Sequence, residues 1–211
     1  MSERETVRAL LQRHGRTYAE EAGIRLRDTP QPLYRLLVLA DLLSARIRAS
    51  VAVDAARCLF EAGMKDARSM AQATWQQRVD ALGRGGYRRY DERTATQLGD
   101  GAELLLERYG GDVRGMREEA GGDVERLKDV LQQVPGIGPA GADIFLREVQ
   151  GIWPEAHPYL DGKALQGAGR CGLPGDPQKL ARLVEKEQTP ALAAALVRAA
   201  LDKEVADDVR G

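Results

Sequence analysis

Between two stretches of helical pattern lies the run Val134-Pro135-Gly136-Ile137-Gly138-Pro139, whose residue types and spacing carry the plainest chemistry in the chain. Upstream of it, Val124, Leu127, Val130, Leu131 and Val134 recur at three- and four-residue steps, while Glu125, Arg126, Lys128 and Asp129 fall on the opposite face. That spacing predicts a helix with one buried face, stopped by Pro135. Gly136 and Gly138 flank Ile137, so the backbone there is free to take positive φ and to approach another group with no Cβ between. Pro139 suits a first helical position, where its missing N–H removes no hydrogen bond. Several unpaired N–H groups then point outward from the start of a helix, at the end of the helix dipole that favours negative charge. Such a place is a seat for a phosphate.

A lone Gly-x-Gly would equally serve as an ordinary turn between antiparallel helices. The full run V-P-G-I-G-P-A-G-A-D followed by I-F-L-R-E-V-Q is more specific. It resembles the helix-hairpin-helix element of DNA-binding proteins, in which the hairpin holds a backbone phosphate without reading sequence. The resemblance puts the contacts on the backbone of Gly136, Ile137, Gly138, Ala140 and Gly141, with a monovalent cation as a further possible guest of the hairpin carbonyls.

The elements that must position this run are helical. In 211 residues, Ala, Leu, Arg and Glu dominate and β-branched runs are almost absent, which predicts an all-α fold with a real core. Lysine and arginine together number 31 against 32 acids, a net charge of −1, so any binding of nucleic acid needs local cation clusters. Arg84, Arg88, Arg89 and Arg93, interleaved with Tyr87 and Tyr90, form one such cluster, and Arg46 with Arg48 a second; either reads as well as a solvated helix face. Cys58 and Cys171 lie far apart in sequence and read as free thiols. No apolar run approaches membrane-spanning length and M-S-E-R-E-T is no signal peptide, so the expected location is cytoplasmic, associated with the nucleoid.

In chain order, two short amphipathic patterns meet at His14-Gly15, a histidine better suited to a helix end than to catalysis, and R-D-T-P-Q-P then predicts a domain crossing. Pro32 to Arg46 is apolar nearly all round, as a central helix is. Val51 to Ala62 and Asp66 to Ala71 follow, and Thr74-x-x-Gln77 has the form of a capping box opening a helix at Trp75. A long helix is expected from near Tyr87 to Tyr109, with Gly99 and Gly101 as a bend or break. Beyond the hairpin, Gly151 to Pro158 reads as a loop and Asp161-Gly162-Lys163 as the start of a helix. Asp176-Pro177 and Thr189-Pro190 each look like an N-cap followed by proline.

Taken in order, L-L-S-A-R-I-R-A-S at 42 to 50, Gly85-Gly86-Tyr87, the hairpin, and W-P…L-D at 153 to 161 resemble the helix-hairpin-helix DNA glycosylase superfamily, whose best-known member is endonuclease III. The resemblance covers about residues 30 to 175. It implies a two-lobed helical protein: a six-helix barrel over 30 to 145, ending in the hairpin, and a second domain from 1 to 29 and 146 to 211. Its partner would be double-stranded DNA, bound by a monomer, with a damaged base flipped out of the stack.

On the residues alone, Asp161 before Gly-Lys-Ala is a helix N-cap; the resemblance makes it the catalytic carboxylate, placed to stabilise the positive charge that develops on the sugar. Bifunctional members carry a lysine nucleophile where this chain has Ala140, which cannot form a Schiff base. Lyase activity is therefore not expected. Lys163 stands where endonuclease III-like proteins have a histidine and is read as a phosphate contact or a displaced nucleophile. The four clustered cysteines of the family's iron–sulfur site are missing, so no cluster is expected. Arg46 matches the glutamine that fills the gap left by the flipped base, the opposite wedge falls near Gly86 or Tyr87, and Arg46 with the Tyr87/Arg88 loop is read as inserting between bases or contacting the strands. The resulting expectation is a monofunctional DNA glycosylase of base-excision repair; the alternative is a helix-hairpin-helix DNA-binding protein without catalysis.

Overall fold

A computed structural model describes residues 2–210 and is all-helical. The α-helices are α1 (Glu3–His14), α2 (Tyr18–Glu21), α3 (Pro30–Ser44), α4 (Ala49–Glu61), α5 (Ala67–Gln72), α6 (Trp75–Arg84) and α7 (Asp91–Tyr109). They continue with α8 (Arg114–Ala120), α9 (Val124–Leu131), α10 (Pro139–Val149), α11 (Gly162–Arg170), α12 (Pro177–Ala181), α13 (Thr189–Leu201) and α14 (Lys203–Asp208). No helix among the described residues is long and apolar enough to cross a membrane.

The chain divides into two compact units. One is Ala19–Phe145; the other joins the residues up to Tyr18 to those from Leu146 onward. The sequence places a crossing at residues 27 to 32, whereas the contacts put it at Tyr18/Ala19. Residues 19–29 are anchored to the first unit: Ile24 is buried, Arg57 reaches the Glu21 carbonyl, and Arg117 pairs with Asp28 at 3.2 Å. Pro30 and Pro32 begin α3 rather than separating domains, because proline at the first turn removes no helical bond.

In the first unit, α3 is the central helix. Leu33, Leu36, Leu39, Ala40 and Leu42 have no exposed surface, which explains the apolar residues on all sides of it. Thr74 caps α6 and Gln77 returns the bond, as the capping-box pattern predicts. Arg78 is buried without a carboxylate partner and instead donates to the carbonyls of Met70, Ala73 and Ala95, tying α5, α6 and α7 together. Its guanidinium lies where a Cβ on Gly99 would stand, 2.5 Å away, so that glycine makes room for arginine and α7 runs on without a break. The helix also starts later than its apolar pattern suggests. Tyr87 to Tyr90 lie outside the helix, in an irregular stretch that bends at Arg89 and Tyr90, and Asp91 and Glu92 supply the acidic first turn.

In the second unit, α1 returns to pack on α13. Arg198 donates to the His14 carbonyl and stacks on Tyr18 at 4.4 Å, while Arg13 and His14 both reach Asp208. Helices α11 and α13 meet at Gly167, where a Cβ would fall 1.8 Å from the Leu196 carbonyl oxygen. Thr189 is the first residue of α13 rather than its cap; it is fully buried and bonded to His157.

Candidate nucleic-acid interface

The hairpin is built in the first unit from the end of α9 and the start of α10. Helix α9 stops at Leu131, three residues before the apolar pattern ends, and Val134 closes a turn by donating to the Leu131 carbonyl. Lys128 pairs with Asp143 at 3.4 Å and holds the two helices together across the turn. Gly136 has φ +93° and needs glycine; Gly138 does not have positive φ. What distinguishes Gly138 is open space, since a Cβ there would meet nothing within 4 Å. The Ile137 N–H is spent on the Val134 carbonyl at 3.0 Å and its side chain is buried, so Ile137 anchors the turn and offers nothing outward. Gly141 is buried, and a Cβ there would fall 3.5 Å from the methyl carbons of that side chain. Pro139 has no N–H. The N–H groups of Gly136, Gly138, Ala140 and Gly141 have no backbone acceptor among the described residues, and of these Gly138 and Ala140 flank the first residue of α10, Ala140 exposed and Gly138 half-buried. Two adjacent free N–H groups at the start of an eleven-residue helix suit an anion.

Asp41 of α3 lies directly behind this turn. Its carboxylate oxygens sit 2.8 Å from where a Cβ on Gly136 would be, so glycine is needed there for space as well as for φ. The group is buried, and burial pushes its pKa up to about 7 against the opposing charge of Arg93. Among the cluster residues, Arg46, Arg88 and Arg93 are exposed, and Arg89 stacks on Tyr90 at 5.2 Å. Tyr87 is not available to touch a strand. Its ring is 2% exposed and its hydroxyl is bonded to Thr94 at 3.1 Å.

In the second unit, Asp161 caps α11, accepting from the Ala164 N–H at 3.3 Å. Both of its oxygens also lie 3.0 Å from Arg147 Nη1, and only 11% of the carboxylate side chain and 10% of the arginine's are exposed. Gln150 fixes the segment leading to it: fully buried, it donates to the Arg147 and Tyr159 carbonyls and accepts from the Tyr159 N–H. Lys163 is exposed and bonded to Gln166 on its own helix. Cys58 and Cys171 are free thiols, burial raising the pKa of Cys171. Among the described residues, no group of three or more His, Cys, Asp or Glu could hold a metal. Asp41, Arg147 and Gln150 escape a reading of the sequence for chemistry. The available signal is a lone charged or amide side chain inside an apolar helical run, V-L-A-D-L-L and I-F-L-R-E-V-Q.

No family model matches the sequence, and no curated protein matches it. The fold does have relatives among solved structures. A non-covalent endonuclease III–DNA complex superimposes with a TM-score of 0.53 at 17% identity, over 94% of this chain and 86% of that one. A trapped endonuclease III–DNA covalent intermediate, with an estranged adenine, gives 0.47 at 16% identity over the same shares. The architecture is thus the all-helical endonuclease III fold.

Proposed function

We propose that this chain binds double-stranded DNA through the hairpin and acts as a monofunctional DNA glycosylase, hydrolysing the N-glycosidic bond of a damaged base. The observation that carries the reading is the pair of free N–H groups at Gly138 and Ala140, opening α10 in a chain that shares its fold with an enzyme solved on DNA. A backbone phosphate accepts from both, and the open side of Gly138 lets it approach. Arg46 and Arg88, both exposed, contact the strands. Ala140 leaves no amine to attack the sugar, so water is the nucleophile. Asp161 is the carboxylate that stabilises positive charge on the sugar, and Arg147 and Gln150 position it.

A second reading, DNA binding without catalysis, draws on the same carboxylate. Asp161 is nine-tenths buried and its oxygens are already bonded to Arg147 and the Ala164 N–H, which is how a purely structural cap looks. The hairpin itself is tested by Gly138→Ala, a change with room for its methyl group. The protein should keep its melting temperature within a few degrees, and its affinity for an undamaged duplex, read by fluorescence anisotropy, should fall about tenfold. Unchanged affinity would contradict the phosphate seat.

A further inference from the structure

Helix α1 carries a second stripe besides the face it packs on α13. Arg4, Val7, Arg8, Leu11 and Gln12 follow one another at alternating three- and one-residue steps, the spacing of neighbours along one side of a helix. In the second unit this stripe is one wall of an open groove of about 450 Å³. The opposite wall is the segment between α12 and α13, which contributes Arg182, Leu183, Val184, Glu185 and Gln188. That wall is fixed by its own bonds. Leu183 donates to the Leu180 carbonyl at 3.0 Å, Leu180 is fully buried, and Glu185 and Gln188 cap each other's backbone across a short 3₁₀ turn.

The lining combines two chemistries. Val7 is buried while Leu11, Leu183 and Val184 are half-exposed, so an apolar strip is open to solvent within a concavity, the form an interaction site takes. Arg4, Arg8 and Arg182 are exposed, and among the described residues their side chains make no ion pair and no hydrogen bond. The groove holds one carboxylate against them, Glu185, whose side chain already accepts from the Gln188 N–H. In a chain of net charge −1 this is a local excess of cation, and a guanidinium takes a carboxylate through two parallel bonds. The amides of Gln12 and Gln188 add donors of the kind that serve a peptide backbone.

We infer that this groove docks an acidic segment of a partner protein in which carboxylates alternate with leucines or similar side chains. The apolar side chains cover the strip, and the carboxylates pair with Arg4, Arg8 and Arg182. The inference goes beyond the DNA reading and does not depend on it. A nucleic-acid strand would match the arginines but leave the apolar strip uncovered, and interfaces with DNA are the more polar kind. An amphipathic peptide matches both.

The test uses full-length protein and a fluorescein-labelled synthetic peptide of repeated Glu-Glu-Leu-Leu. Affinity is read by anisotropy at low salt, and the contact is located on isotope-labelled protein by the amide resonances of Leu11, Leu183 and Val184, which should shift. The same peptide with serine in place of leucine, and oligothymidylate, should each shift these resonances only at concentrations at least about tenfold higher. Arg8→Gln combined with Arg182→Gln, both at exposed positions, should weaken the peptide about tenfold and leave duplex affinity as in wild type. Leu183→Ser should weaken it similarly with the rest of the spectrum folded. No shift in the groove, equal binding of the serine peptide, oligothymidylate shifting the groove resonances as readily as the peptide, or peptide affinity unchanged by the arginine pair would each overturn the inference. A loss of duplex affinity in the arginine pair would assign the groove to nucleic acid and overturn it as well.

Discussion

Arg147 and Asp161 are bonded with about a tenth of either side chain exposed, so neither charge is solvated if the other is removed. Arg147→Met should destabilise the protein by about 3–5 kcal/mol, and Arg147→Met with Asp161→Asn should recover most of that loss, as measured by urea unfolding. Asp41 predicts the opposite behaviour. Its folded-state pKa is about 7, raised from the ordinary value of 3.8 by burial, so the folded protein holds a proton that the unfolded chain releases. That stability is fully present below pH 4 and is lost as pH rises through 7. Asp41→Leu should therefore be more stable than wild type at pH 8, by a few kcal/mol, since each tenfold change in proton affinity is worth about 1.4 kcal/mol, and the gain should shrink toward pH 4. At this scale the sequence shows Asp161 as a cap, and the structure agrees. It does not show the guanidinium fourteen residues away, because pairing across a turn leaves no periodic trace.

Helices declare themselves through period and caps, and both are local. The Thr74–Gln77 box and the apolar ring of α3 are readable because each depends on residues within one turn or one helix. Starts and stops that depend on partners are not. The four residues from Tyr87 stay outside the helix, α8 between two glycine pairs has too few apolar positions to show a period, and α9 ends early so that Val134 can turn into the hairpin. Contacts between helices are equally hidden. Gly167 lies 1.8 Å, measured from an ideal Cβ, from the Leu196 carbonyl, so Gly167→Ala should force α11 from α13 and cost roughly 3 kcal/mol or more, seen as a melting-temperature drop. Gly136→Ala should also destabilise, by about 1–3 kcal/mol, since φ +93° and the Asp41 carboxylate both exclude a methyl group, whereas Gly138→Ala should not. The sequence treats the two glycines as equivalent; their surroundings make one structural and the other open to a ligand.

At the scale of the whole chain, composition predicts the all-α class, and the order of short motifs points to the endonuclease III fold. The boundary between units is harder to read because prolines that open a helix look the same as prolines that end a domain. With a net charge of −1 the molecule offers no overall attraction for DNA, so binding must come from a few local contacts. The logarithm of affinity against the logarithm of salt should fall with a slope of about −2 to −4, at roughly 0.9 per phosphate neutralised. Hydrolysis at a damaged base, with Asp161 as the carboxylate, is measured on end-labelled duplexes that each hold one alkylated, oxidised, deaminated or mismatched base. Strand breakage is expected at one class of lesion only after alkali, and is lost in Asp161→Asn. If every lesion stays intact while the duplexes remain bound, the catalytic claim is wrong and the chain is a DNA-binding protein on an enzyme's fold.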